Sequence, residues 1–331
     1  MKFLTMLIAG VTMLACGQAG AAGFQRAMIS DPEDRPLAVG IWYPSDAPVS
    51  AEPNTPFRQA LAIDGVINGS RLPLVVVSHG YGGWLGSHAD TALALAEAGF
   101  VVVAVTHTGN NYEDESYPMS RWTLDRPRHV RHVLDYMLHH WRGHDRIDAS
   151  RIGIFGFSAG GYTALVSIGG VPDPEKVASH CRAEPDEVAC RLGAGNPLDS
   201  SGAKALQGAH DPRIKAAAIA APGLGFGFDA PALARVTVPV QLWAMSEDRV
   251  VPHASNSEIV RRSLPKAPDF RMVEGAGHYA FLQPCDPLLE KAEPKVWAMI
   301  CTDPPGFDRG DFHQRFNREV AAFFKKSLAN E

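Results

Sequence analysis

Residues 151–165 read RIGIFGFSAGGYTAL, an apolar run followed by a serine boxed between small residues and then by a segment with helical character. The run Ile152–Phe155 is short, apolar and bounded by glycine, which fits a buried strand, and Gly156-Phe157-Ser158-Ala159-Gly160 matches G-x-S-x-G. In that pattern a sharp strand-to-helix turn lifts the serine hydroxyl above the sheet. Side chains at Gly156 and Gly160 would collide with the neighbouring strand and helix. The turn also sets Ser158 at a helix N-terminus, where developing negative charge is favoured.

Working outward, the chain alternates strands and helices. Pro36–Tyr43 reads as a strand, and Leu72–Ser78 (LPLVVVS) as a strand covered on both faces. Asp90–Ala98 reads as a helix with Asp90 as its cap, and Phe100–Val105 as another buried strand. Asp125–Trp141 carries Val130, Val133, Leu134, Met137, Leu138 and Trp141 at helical spacing. Later strands are expected at Ile214–Ala220, Val238–Ala244 and Phe270–Val273, with a final helix over Phe312–Phe324. Beta, alpha and beta in succession predict a mostly parallel sheet with helices on both faces. Residues 171–213 lose periodicity and read as a cap-like insertion above the sheet.

A serine is a weak nucleophile without an oriented base. His278 stands in a small-residue loop (EGAGHY, 274–279) after an expected strand, and Asp248 follows another, with Glu247 as its competitor. The order Ser158, Asp248, His278 is the nucleophile, acid, base order that accompanies the G-x-S-x-G turn. A tetrahedral oxyanion needs two preorganised donors. The amides of Ala159 and Tyr81, the latter in His79-Gly80-Tyr81-Gly82-Gly83, are the candidates, with His79 expected to shape its turn. A rival cluster, His129, His132, His139, His140 and His144, has spacings that could gather a metal, but the apolar stripe of the same helix accounts for it more simply.

Of the 331 residues, 46% are hydrophobic and 20% charged, enough apolar material for one large domain. A formal net charge of -5 provides no basic footprint for nucleic acid. Residues 1–22 read as a secretory signal peptide rather than a membrane span, leaving 23–331 as the mature domain in the periplasm or outside the cell. Cys16 lies in a weak lipoprotein-like box, so a lipid anchor stays open. The four remaining cysteines predict two disulfides, preferably Cys181 with Cys190 and Cys285 with Cys301, each closing a short local loop.

Together, SHGYGG (78–83), GFSAGG (156–161), SEDRVVP (246–252) and GAGH (275–278) resemble the dienelactone hydrolase-like group of α/β-hydrolases, nearest to exported bacterial relatives of platelet-activating factor acetylhydrolases and polyester hydrolases. The resemblance runs from about Gly40 to Phe324. Ser158 replaces the cysteine nucleophile of true dienelactone hydrolases, which favours serine-esterase chemistry. The resemblance implies a small-molecule or lipid-like carboxylic ester as substrate, cleaved without metal or organic cofactor. Thioester or amide cleavage by the same triad, and a non-catalytic binding protein that kept the fold, are the alternatives. Residues 171–213 are expected to shape the acyl or alcohol pocket; oligomeric state is not legible.

Overall fold

The computed structural model describes residues 21–196 and 200–329, without the side chains of Ala21, Ser200, Ser201 and Ala203. The expected signal peptide and Cys16 lie outside the described residues, except that Ala21 and Ala22 open the first strand. Nine strands form one sheet: β1 Ala21–Ile29, β2 Leu37–Ser45, β3 Ala62–Ile63, β4 Leu72–Ser78, β5 Val101–Thr106, β6 Ile147–Phe157, β7 Ile214–Ala220, β8 Val240–Met245 and β9 Asp269–Val273. Their order is β3-β1-β2-β5-β4-β6-β7-β8-β9. From β5 to β9 the strands run parallel, and β2 joins them antiparallel. The expectation missed β1, which is buried at Ala22, Gly23, Phe24 and Ile29 but partly or fully exposed from Gln25 to Met28, so it forms no continuous apolar run.

The apolar runs are continuous because each strand feeds two cores. Leu74 and Val76 of β4, Val103 of β5 and Ile154 of β6 face one side; Val75, Val77, Val102 and Phe155 face the other. The first side is covered by α2 (Met119–His139), through Val130, Val133, Leu134 and Met137, and by α3 (Ala159–Ser167). The second is covered by α1 (Ala89–Glu97) and by the C-terminal helix Arg309–Ser327, which inserts Phe312, Phe316, Val320 and Phe324. Helices on both faces are what an all-parallel run of strands requires.

Two local expectations are corrected. Asp90 does not cap α1: the residue before the helix is His88, and the Asp90 carboxylate accepts instead from His313 Nδ1 (2.6 Å) and Asn317 Nδ2 (2.8 Å). Residues 171–213 are not aperiodic but carry short helices, α4 Pro174–Ala183, α5 Val188–Arg191 and α6 Ser200–Gln207, with Asp173 capping α4. Cys181 is bonded to Cys190, tying α4 to α5, and Cys285 to Cys301.

Candidate active site

Parallel strands end at one edge, and the registers align Ser78 of β4, Gly156 of β6 and Ile219 of β7, so the loops that follow them share that edge. Ser158 follows β6 directly and precedes α3, with φ 55° and ψ -116°. A non-glycine residue in that region costs on the order of 1–3 kcal/mol and persists only when its surroundings fix it. Here Ser158 N donates to Ala220 O (2.9 Å), and Ser158 O accepts from Gly223 N (2.9 Å) and Tyr162 N (3.1 Å). The flanking glycines let the turn close. A Cβ on Gly160 would lie 1.9 Å from Ser78 O, and one on Gly156 2.1 Å from Gly160 O. The helix and strand anticipated at these positions are the ones it would strike.

Ser158 Oγ lies 3.0 Å from His278 Nε2, and His278 Nδ1 lies 2.7 Å from Asp248 Oδ2. The other carboxylate oxygen, Asp248 Oδ1, accepts from the amides of Val250 (2.9 Å) and Val251 (2.7 Å), which fixes the carboxylate plane. All three side chains are buried, whereas Glu247 is exposed and takes no part. The Phe157 ring packs 4.7 Å from the His278 imidazole and limits its tilt. His278 opens a single 3-10 turn, His278–Phe281, and the carbonyl of Ala280 in that turn is held by His313 Nε2 (2.9 Å). His313 thus bridges Asp90 and the turn bearing His278, a role that nothing in the sequence around it signalled.

Tyr81 and Ala159 lie beside Ser158 in one cleft, and among the described residues neither amide donates to another group. The loop that carries Tyr81 is held from behind. His79, fully buried, donates from Nδ1 to Gly80 O (2.6 Å) while its Nε2 accepts from His107 N (3.1 Å). Burial and the Arg126 charge push His79 well below its ordinary pKa, so it is neutral and structural.

The histidines of the rival cluster disperse. His129 is buried against His107 (Nδ1 to Nδ1, 3.2 Å) with Asp31 3.5 Å from its Nε2, while His144 pairs with Trp141 O (2.8 Å). No group of three metal-ligating side chains occurs among the described residues.

The cleft is walled by Tyr81, Trp122, Tyr162, Leu224, Val188 and Val251. Val188 belongs to the disulfide-tied segment. Glu187, just before it, accepts from Ser255 Oγ (2.7 Å) and faces His180 Nε2 at 3.1 Å. A second, smaller depression shares Met119, Tyr162 and Leu224 with the cleft and extends to Val177, Ala194 and Leu206. Apolar walls with few polar groups suit an apolar ligand moiety next to Ser158.

Comparison with known proteins bears on the fold. Residues 87–179, which include Ser158, match the family model of the prolyl oligopeptidase family. A solved ferulic acid esterase from Streptomyces cinnamoneus superposes with a TM-score of 0.64 at 21% identity, over 95% of this chain and 92% of that one. No curated protein matches the chain. Among the described residues a nine-stranded, mostly parallel sheet with helices on both faces, and a serine on the turn after the inner strand β6, give the chain an α/β-hydrolase fold.

Proposed function

We propose that the protein is a serine hydrolase of carboxylic esters. His278 takes the proton of Ser158 as Oγ attacks the carbonyl carbon, and Asp248 orients the imidazole and stabilises the imidazolium. The amides of Tyr81 and Ala159 hold the oxyanion. Collapse of the tetrahedral intermediate breaks the ester C–O bond, the leaving alkoxide takes the proton from His278, and water repeats the sequence to free the acid and Ser158. The observation that carries this reading is the unbroken relay from Ser158 Oγ through His278 to Asp248, with two unengaged backbone amides beside the hydroxyl.

The group related to dienelactone hydrolases, with serine in place of cysteine, remains our choice of subgroup. The segment around Val188 would form one wall of the acyl or alcohol pocket. Two disulfides suit an oxidising compartment, in keeping with export to the periplasm or beyond. A second reading, peptide cleavage by the same triad, is favoured by the match to the prolyl oligopeptidase family.

The test is labelling by a fluorophosphonate probe together with turnover of p-nitrophenyl esters of increasing chain length, a feruloyl ester and a peptide p-nitroanilide. We expect labelling of wild type but not of Ser158→Ala, and ester turnover that falls on the order of 10⁶-fold in the variant. Equal labelling of the two proteins refutes the triad; turnover of the anilide in preference to every ester replaces the esterase reading with the peptidase one.

A further inference from the structure

Arg126 lies on α2 at a position where the helix faces the core, and its guanidinium is completely buried. A cation taken out of water is expensive unless paired. Yet among the described residues no carboxylate pairs with it, and burial pushes its pKa down to about 9, which still leaves it charged at neutral pH. Its donors go to neutral oxygens. Nη1 donates to His79 O (2.6 Å), Nη2 to Gly80 O (3.0 Å), and Nε to Asn110 Oδ1 (2.8 Å).

The carbonyl of Gly80 and the N–H of Tyr81 belong to one peptide group. Because a trans peptide is planar and sets C=O and N–H on opposite sides, fixing the oxygen fixes the direction of the N–H. Gly80 O is fixed twice, by His79 Nδ1 and by Arg126 Nη2. A cationic donor on the carbonyl also polarises the peptide, so that its N–H becomes a stronger donor in turn.

We infer that Arg126 is a positioning residue for hydrolysis: held without a counter-ion behind the loop, it aims and polarises the Tyr81 amide so that the oxyanion formed on Ser158 is the negative charge this cation meets. The inference rests on the esterase reading of Ser158 and adds a residue to it. It also explains why an unpaired cation is retained in a core where an apolar residue would pack more cheaply.

Two variants separate this from a merely structural role. Arg126→Met removes the charge and the donors. Removing a single oxyanion donor costs about 10²–10³-fold in kcat, and we expect a loss of at least about 10²-fold in kcat with KM moved by less than about threefold. Asn110→Asp is isosteric and keeps the acceptor for Arg126; the Asn110 Nδ2 it deletes has no hydrogen-bond partner among the described residues, so no bond is lost. It supplies the missing counter-charge. A structural role for Arg126 predicts unchanged kcat and equal or greater stability in this variant, whereas the inference predicts kcat lower by about tenfold or more at unchanged KM.

Asn110→Asp is the variant expected to fold, and it carries the test should Arg126→Met fail to. Wild-type kcat in Asn110→Asp, or a folded Arg126→Met that changes KM alone, overturns the inference. If wild type neither labels with fluorophosphonate nor turns over any ester, the esterase reading falls and this inference with it; if wild type is active and the variants match it, only the role of Arg126 falls.

Discussion

Acidification from pH 7.5 to 5.5 should destabilise this protein chiefly through its buried histidines. Four histidines are buried in neutral form. Burial, and then the Arg126 charge, holds His79 and His107 well below the ordinary value; burial brings His88 to about 4; burial, followed by the Arg128 charge, brings His129 to about 3. Unfolded, each titrates near 6.5. Between the folded and unfolded values the unfolded chain binds more protons, so stability is complete above about pH 7 and is lost as pH falls through the unfolded value.

At pH 5.5 each of these histidines is one unit below its unfolded pKa, which costs about 1.4 kcal/mol of folding free energy per residue. Four of them remove roughly 5 kcal/mol, a large share of the ~5–15 kcal/mol that holds a typical domain. With an unfolding entropy of about 2 cal/mol/K per residue, a chain of this size should lose about 8 °C in Tm over the two pH units. Urea unfolding followed by far-UV circular dichroism at several pH values measures the slope directly. His88, packed edge-on against Phe155 and Phe157, offers an internal control: His88→Phe should lower the slope by about a quarter. A stability that is flat or rising between pH 7.5 and 5.5 refutes the reasoning.

Other perturbations address the strand-to-helix turn at Ser158, the elbow of the site, and the segment tied by Cys181–Cys190. In Gly160→Ala the new methyl meets the Ser78 and His79 carbonyls, at 1.9 and 2.8 Å, and neither is the end of a flexible side chain. The turn must shift, and we expect losses of about 2–3 kcal/mol in stability and about 10²-fold in kcat, measured by urea unfolding and ester turnover; activity within threefold of wild type would show that the elbow tolerates a wider turn. Opening the disulfide as Cys181→Ser with Cys190→Ser releases a loop spanning nine residues and should cost up to about 2.5 kcal/mol. Because Val188 and Leu192 line the cleft, KM for a long-chain ester should rise more than kcat falls, and an unchanged KM would remove this segment from the substrate pocket.

What could be read from residues alone was whatever local chemistry dictates. Runs such as Leu72–Ser78 had to be doubly covered strands, since no other short element accommodates uninterrupted branched side chains, and β4 has those bounds. The small residues around Ser158 signalled a close approach of backbones, and the carbonyls of Gly160 and Ser78 are the groups that come close. Other features had weaker local signals. β1 pairs antiparallel at the edge region of the sheet, where burial is partial and the apolar run breaks up. Asp90 looked like a cap because capping is decided by neighbours in sequence, but its carboxylate is claimed by His313 and Asn317 from the far end of the chain. Arg126 had a faint signal, a charge four residues before Val130 on the same helical face, and its meaning appears only when the loop after β4 is laid against it.

The sequence by itself pointed to the central strands and their flanking helices, to the strained turn at Ser158 and to Asp248 and His278 as its candidate companions, because periodicity, small residues and chain order are local properties. Only the tertiary structure decided that Asp90 meets His313 and Asn317, that His129 lies against Asp31 and His107, and that Arg126 stands behind Tyr81. The physical reason is the same in each case. Hydrogen bonds and charges act over about 3–4 Å, and which groups fall within that distance across a hundred residues of chain is fixed by packing.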